Sequence, residues 1–175
     1  GDLDMFFLND GMNSFLRNNS DGTFTNNSDK LNISLEDLNS IDGDISDFDN
    51  DGDLDIVIIN SNGSINLLSN QRHGKFIDKG KNISLDSNLN FIQSEDLDND
   101  GFFDFIIQEK NKIKIFKNLG DWNFTNSFNF QFESNIKNTD KTFIYDFNND
   151  AKLEILNLNE NSIYKLQSNG NYEID

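Results

Sequence analysis

Three stretches of this chain set oxygen-bearing side chains at alternate positions: "DFDNDGDLDIVII" from Asp47, "DLDNDGFFDFIIQ" from Asp96 and "DFNNDAKLEILNL" from Asp146. Counted from its first residue, each carries such a group at positions 1, 3, 5 and 9. These are Asp47, Asp49, Asp51 and Asp55; Asp96, Asp98, Asp100 and Asp104; and Asp146, Asn148, Asp150 and Glu154. Position 7 (Asp53, Phe102 or Lys152) offers a backbone carbonyl. The chemistry this spacing suits is calcium binding, because calcium is a hard cation that takes roughly 6–8 oxygens. Alternation lets a tightly curved loop aim its carboxylates inward while the intervening residues face out. Gly52 and Gly101 at position 6 permit the sharp turn, where a Cβ would be costly.

A solvated acidic hairpin turn is the plainer explanation, since Asp, Asn and Gly are common turn residues. Without a cation, however, four carboxylates in so small a loop repel one another, and the pattern recurs in register. An EF-hand does not fit. That motif needs a glutamate at position 12 and flanking helices, whereas position 12 here is Ile58 or Ile107, inside strand-like runs. The third loop departs from the other two: Ala151 replaces the glycine and Lys152 adds a cation. A remnant, Asp2 and Asp4 after Gly1, lacks positions 1 to 5 and is not expected to hold an ion alone.

The elements that must position these loops follow from the repeat. The last acidic residues, Asp4, Asp55, Asp104 and Glu154, recur every 49–51 residues. After each comes a β-rich run ("LDMFFLN", "LDIVIIN", "FDFIIQE", "LEILNLN"), a polar turn such as Asn62-Gly63, and a second short strand. A Gly-containing turn then leads to an aromatic-bearing third strand, and a further short segment ("IDGDIS", "FIQSE", "KTFIY") precedes each complete loop. Four short antiparallel strands repeating every fifty residues or so predict an all-β fold of β-propeller blades. On this phase residues 1–175 form one propeller region: a partial blade over 1–40, blades over 41–90 and 91–140, and a last blade, open to truncation, over 141–175. The phenylalanines and isoleucines are expected to pack between blades. Propellers close with about four to eight blades, so a partial propeller with further blades in the natural protein is expected.

Composition narrows the chemistry. The net charge is −17, with 31 acidic against 14 basic residues, which argues against nucleic acid and anionic membranes. No apolar run approaches the roughly 20 residues of a membrane-spanning helix. There is no cysteine, so disulfides, zinc–thiolate sites and thiol nucleophiles are excluded. The single histidine, His73 in "NQRHGK", would have to serve any Ser-His-Asp triad, but it reads as a solvated turn residue. Trp122, the only tryptophan, could stack on a sugar; in "GDWNFTN" it reads as packing at a strand edge. The Asn-x-Ser/Thr sequons are expected by chance in so asparagine-rich a chain. The opening "GDLDMFF" carries neither an initiating methionine nor a signal peptide and reads as an excerpt of something longer.

The stretch "DFDNDGDLDIVIIN" resembles the calcium loop and following strand of FG-GAP/VCBS repeats, found in integrin α-subunit propellers and secreted bacterial proteins. The fuller pattern, "GDLDMFFLND…NSFLRNNSDGTFTNNS" followed by "GDISDFDNDGDLD", looks most like bacterial ASPIC/UnbV and cartilage-acidic-protein-like propellers. The resemblance implies a β-propeller with Ca2+ in its blade loops and a secreted, periplasmic or cell-surface location. It also implies ligand roles for Asp47, Asp49, Asp51, Asp53 and Asp55, and for Asp96, Asp98, Asp100, Phe102 and Asp104, with Asp53 and Phe102 acting through their carbonyls. Asp146, Asn148, Asp150, Lys152 and Glu154 match only in part. The function expected is a calcium-binding, non-catalytic module for adhesion or for binding a protein or glycan. The alternatives are part of a polysaccharide-acting lyase or hydrolase, or a structural spacer. Against an enzyme, the loops and their remnant account for 14 of the 31 acidic residues, and no convergent pair is evident among the others.

Overall fold

Each apolar run after an acidic stretch forms a strand that pairs antiparallel with the segments before and after it. The computed structural model describes residues 3–30, 39–80, 83, 85, 88–109, 112–131, 142–150, 153–157, 162–166 and 172–174. The first sheet holds β1 (Met5–Phe7), β2 (Ser14–Asn18) and β3 (Phe24–Asn26). The second holds β4 (Ser40–Ser46), β5 (Asp55–Asn60), β6 (Ile65–Asn70) and β7 (Phe76–Asp78). The third comprises β8 (Leu89–Glu95), β9 (Asp104–Glu109), β10 (Lys112–Asn118) and β11 (Phe124–Gln131). β12 (Thr142–Tyr145), β13 (Glu154–Asn157), β14 (Ser162–Leu166) and β15 (Tyr172–Ile174) make the fourth. Every sheet runs in chain order, and none closes on itself. A 3-10 turn at Ser28–Lys30 is the only helical element among the described residues. The fold is all-β, built from blade-like antiparallel meanders, as the repeat predicts.

Burial explains why the central runs are continuously apolar rather than alternating. Successive side chains of a strand point to opposite faces, so a strand held between two neighbouring sheets must be apolar on both. All six residues of β5 are buried, and all six of β9. Ile56 and Ile58 pack with Phe15 of the first sheet, while Val57 and Ile59 pack with Ile92, Phe105 and Ile107 of the third. Ile106 and Ile113 turn the other way, onto Ile144, Ile155 and Tyr164 of the fourth. The apolar core therefore lies in three layers between successive sheets. Phe48, Phe105, Phe116 and the buried isoleucines play the part expected of them, whereas Ile41, Ile45, Ile77, Phe143 and Phe147 are exposed.

Polar bonds one repeat apart reinforce these layers. The Asp42 and Asp44 carboxylates on β4 accept from the backbone N–H groups of Ile92 (3.0 Å) and Ser94 (2.6 Å) on β8. Gln93, which stands in β8 where Asp44 stands in β4, donates its amide to the Ile144 carbonyl of β12 at 2.9 Å. The free edge formed by the first strand of a blade is thus partly satisfied by side chains of its neighbour, in keeping with the cost of an unpaired strand edge.

One local expectation is corrected. Trp122 does not occupy a strand edge: it lies in the β10–β11 turn with φ 59°, beside Asp121 at φ 50°. The turn closes through Leu119 N–H to the Asn123 carbonyl (2.8 Å) and Asn123 N–H to the Gly120 carbonyl (3.0 Å). That geometry lays the indole back toward the preceding sheet, where its ring centroid is 6.2 Å from that of Phe48. Trp122 is a packing residue, as its sequence context indicates.

Candidate metal centres

The position-1 aspartate builds each loop. Asp47 accepts through Oδ1 from Asp51 N–H (3.1 Å) and through Oδ2 from Gly52 N–H (3.0 Å). Asp96 does the same with Asp100 (3.1 Å) and Gly101 (3.0 Å), and Asp146 Oδ1 accepts from Asp150 N–H at 3.0 Å. Gly52 and Gly101 take φ 86° and 90°, the left-handed region that the sequence pattern requires of them. The residue at position 4 is left-handed as well: Asn50, Asn99 and Asn149 have φ 58°, 57° and 60°. Asparagine tolerates that region better than other residues with a Cβ, which explains why it stands there in all three loops.

The position-9 carboxylate ties the loop to the sheet. Asp55 accepts from Phe48 N–H (3.0 Å) and Asn70 N–H (2.8 Å), and Asp104 from Leu97 N–H (3.2 Å) and Asn118 N–H (2.8 Å). In the first sheet Asp4 accepts from Asn18 N–H at 2.8 Å. Asn18, Asn70 and Asn118 return the bond, donating their side-chain amides to the carbonyls of Leu3 (3.1 Å), Leu54 (3.0 Å) and Phe103 (3.1 Å). These asparagines went unnoticed in the sequence, although their recurrence fourteen or fifteen residues after the last aspartate is a readable signal. Burial pushes the Asp55 carboxyl up to about 6, against the lowering effect of its two backbone bonds. Asp104 is raised for the same reason.

The carboxylates do not all converge as the spacing predicts. In the first loop one oxygen each from Asp47, Asp49 and Asp55 lies within 4.8 Å of the others. Asp51 stays out of the group and accepts from Asp53 N–H at 2.9 Å, and the Asp53 side chain pairs with Arg72 at 2.5 Å. The second loop gathers Asp96, Asp98 and Asp100 without Asp104. There the Lys117 ammonium pairs with Asp98 and lies 3.3 Å from Asp100. The Asp100 carboxyl is held below its ordinary value, first by the backbone N–H of Phe102 and then by Lys117. The third loop brings together Asp146, Asp150 and Glu154, and Asn148 donates to Glu154 Oε1 at 2.9 Å. Asp2, Ala151 and Lys152 lie outside the described residues.

The first loop is distinguished by one atom. Asp49 Oδ2 accepts from the Trp122 indole N–H at 3.1 Å, but Asp49 Oδ1 is buried without a hydrogen-bond partner. A buried, unpaired carboxylate oxygen is costly. This loop also joins two blades: Asn50 donates its amide to the Gly101 carbonyl at 2.9 Å, and Asn118 donates to the Phe48 carbonyl at 2.8 Å.

A cavity of about 480 Å³ lies between the first and second sheets, and both arginines of the chain, Arg17 and Arg72, line it together with His73. His73 is an exposed turn residue with φ 56°, as its sequence context predicts, and no serine lines the cavity it borders. The matching space between the second and third sheets is filled by Phe48, which is fully buried against Trp122 and Phe124.

Residues 96–157, from the start of the second loop to the end of β13, match the family described as FG-GAP-like repeat. That segment is similar to FG-GAP-like repeats, and the four antiparallel sheets repeat on one pattern. No curated protein matches it.

Proposed function

We propose that the chain is a calcium-binding, non-catalytic propeller module that works outside the cytoplasm, in adhesion or in binding a protein or glycan. The observation that carries the metal reading is Asp49 Oδ1, buried and unpaired beside the Asp47 and Asp55 carboxylates. A hard cation supplies the partner this oxygen lacks and offsets the repulsion among the three carboxylates. Calcium suits an irregular shell of carboxylates and carbonyls; magnesium demands near-ideal octahedral geometry and keeps its waters. Within the three loops, Asp47, Asp49 and Asp55 form the strongest site. Asp96, Asp98 and Asp100 form a second that competes with Lys117, and Asp146, Asp150 and Glu154 a third. The role of the bound ion is mechanical: it fixes a loop that already links two blades, leaving the outer turns free to contact a partner. No helix among the described residues is long and apolar enough to cross a membrane. The FG-GAP-like match supports an extracellular setting, and the finer likeness to ASPIC/UnbV chains rests on the quoted motifs alone.

Isothermal titration with calcium tests the metal reading. Saturable binding is expected, with Asp49→Asn removing the tightest component and leaving the fold intact by circular dichroism. Unchanged binding in Asp49→Asn would show that the first loop is not the site.

A further inference from the structure

The turn between the last two strands follows one pattern in the first three sheets. Four residues after the clamping asparagines Asn18, Asn70 and Asn118 stand Gly22, Gly74 and Trp122. All three are left-handed, at φ 88°, 74° and 59°. Glycine takes that region freely, whereas a bulky residue there is an outlier that its surroundings must hold in place. The third sheet thus carries the chain's only tryptophan where the first and second use glycine.

That side chain reaches back to the first acidic loop. Its ring packs on Phe48, and its indole N–H donates to Asp49 Oδ2 at 3.1 Å. Asp49 therefore has one oxygen held by the next sheet and one, Oδ1, buried without a partner beside Asp47 and Asp55. Loop position 3 is treated differently elsewhere. Asp98 pairs with Lys117 of its own sheet and remains 43% exposed, and Asn148 donates to Glu154 within its own loop. Among the described residues, only the first loop has its position-3 side chain held from a neighbouring sheet.

We propose, resting on the calcium reading of this loop, that Trp122 is a positioning residue for its cation, so that the site is complete only when the third sheet is docked on the second. The indole N–H fixes the Asp49 carboxylate and leaves Oδ1 to the ion, together with Asp47 and Asp55. Outer partners that orient a ligand in this way govern metal affinity as well as geometry. Asn50, donating to the Gly101 carbonyl, and Asn118, donating to the Phe48 carbonyl, hold the same loop against the same sheet. Coupling of this kind is reciprocal: what docking adds to calcium affinity, calcium adds to docking. The ion then links two blades as well as tying one loop.

Calorimetric calcium titration of the chain and of Trp122→Phe, joined to NMR of the single indole resonance, tests the proposal. Trp122→Phe keeps a ring against Phe48 and removes the donor. It should weaken the tightest binding component roughly 10- to 100-fold and leave the other two loops unchanged. Phe124→Leu, which thins the same apolar layer without removing the bond to Asp49, should leave that component unchanged. In the unaltered chain the indole N–H signal should shift with calcium, saturate together with the tightest component and exchange more slowly with solvent. Should Trp122→Phe lose the native circular-dichroism spectrum, the indole signal decides alone. Equal affinity in the folded Trp122→Phe variant, or an indole signal blind to bound calcium, overturns the proposal and leaves the calcium reading standing. An equal loss in Phe124→Leu overturns it too, reducing Trp122 to packing. A chain that binds no calcium overturns both.

Discussion

On the proposed calcium reading, proton and metal compete for the Asp55 carboxylate. Its carboxyl sits at about 6, against an ordinary 3.8, because burial penalises the charged form more than two backbone N–H groups favour it. In the metal-free protein the folded state holds the proton more tightly than the unfolded chain. The stabilisation from this group is therefore fully present below pH 3.8 and lost as pH rises through about 6. Calcium requires the ionised form, so its affinity runs the opposite way: titrations followed by Trp122 emission should show affinity falling up to about tenfold per pH unit below 6. Trp122 is a fitting reporter, being the only tryptophan and bonded to Asp49. An affinity flat between pH 5 and 7 would mean that Asp55 serves the backbone alone.

The second loop carries a different competitor. The Lys117 ammonium pairs with Asp98 and Asp100, and a metal entering there must displace it. An exposed ion pair is weak, so Lys117→Met should tighten calcium binding at this loop modestly, as read by titration calorimetry. Weaker binding in the variant would place Lys117 among the groups that support the site.

At the scale of elements, the first acidic loop and the inter-blade core are one structure. Phe48 sits between Asp47 and Asp49 in sequence, yet its ring is buried in the next blade. Phe48→Ala should cost about 3–5 kcal/mol in chemical denaturation, and calcium binding should weaken with it; a loss below about 1 kcal/mol would mean the layer collapses around the gap. The strands themselves were legible, because the acidic repeat fixes their phase and the buried runs of β5 and β9 are continuously apolar. The turn of Trp122 was not, since its left-handed backbone is set by closure between β10 and β11 rather than by local pattern. The bonds from Asp42 to Ile92 and from Asp44 to Ser94 were also hidden. They join residues fifty apart, and only the stacking of blades brings those together. Convergence of the carboxylates was legible in part. Spacing indicated the three clusters, but it could not show that Arg72 takes Asp53 or that Lys117 takes Asp98.

For the whole molecule, a net charge of −17 with the acidic loops stacked one repeat apart makes the metal-free state self-repelling. Each divalent ion bound to the folded state alone removes part of that repulsion and stabilises by RT ln(1 + [L]/Kd). The most direct test of the account is a thermal melt of the chain in chelator and then across a calcium titration, with magnesium as control. The transition should rise with calcium by several degrees at millimolar concentration and move little with magnesium. A transition that stays fixed in millimolar calcium would contradict the account, leaving the aspartates as solvated turns and the unpaired Asp49 oxygen unexplained.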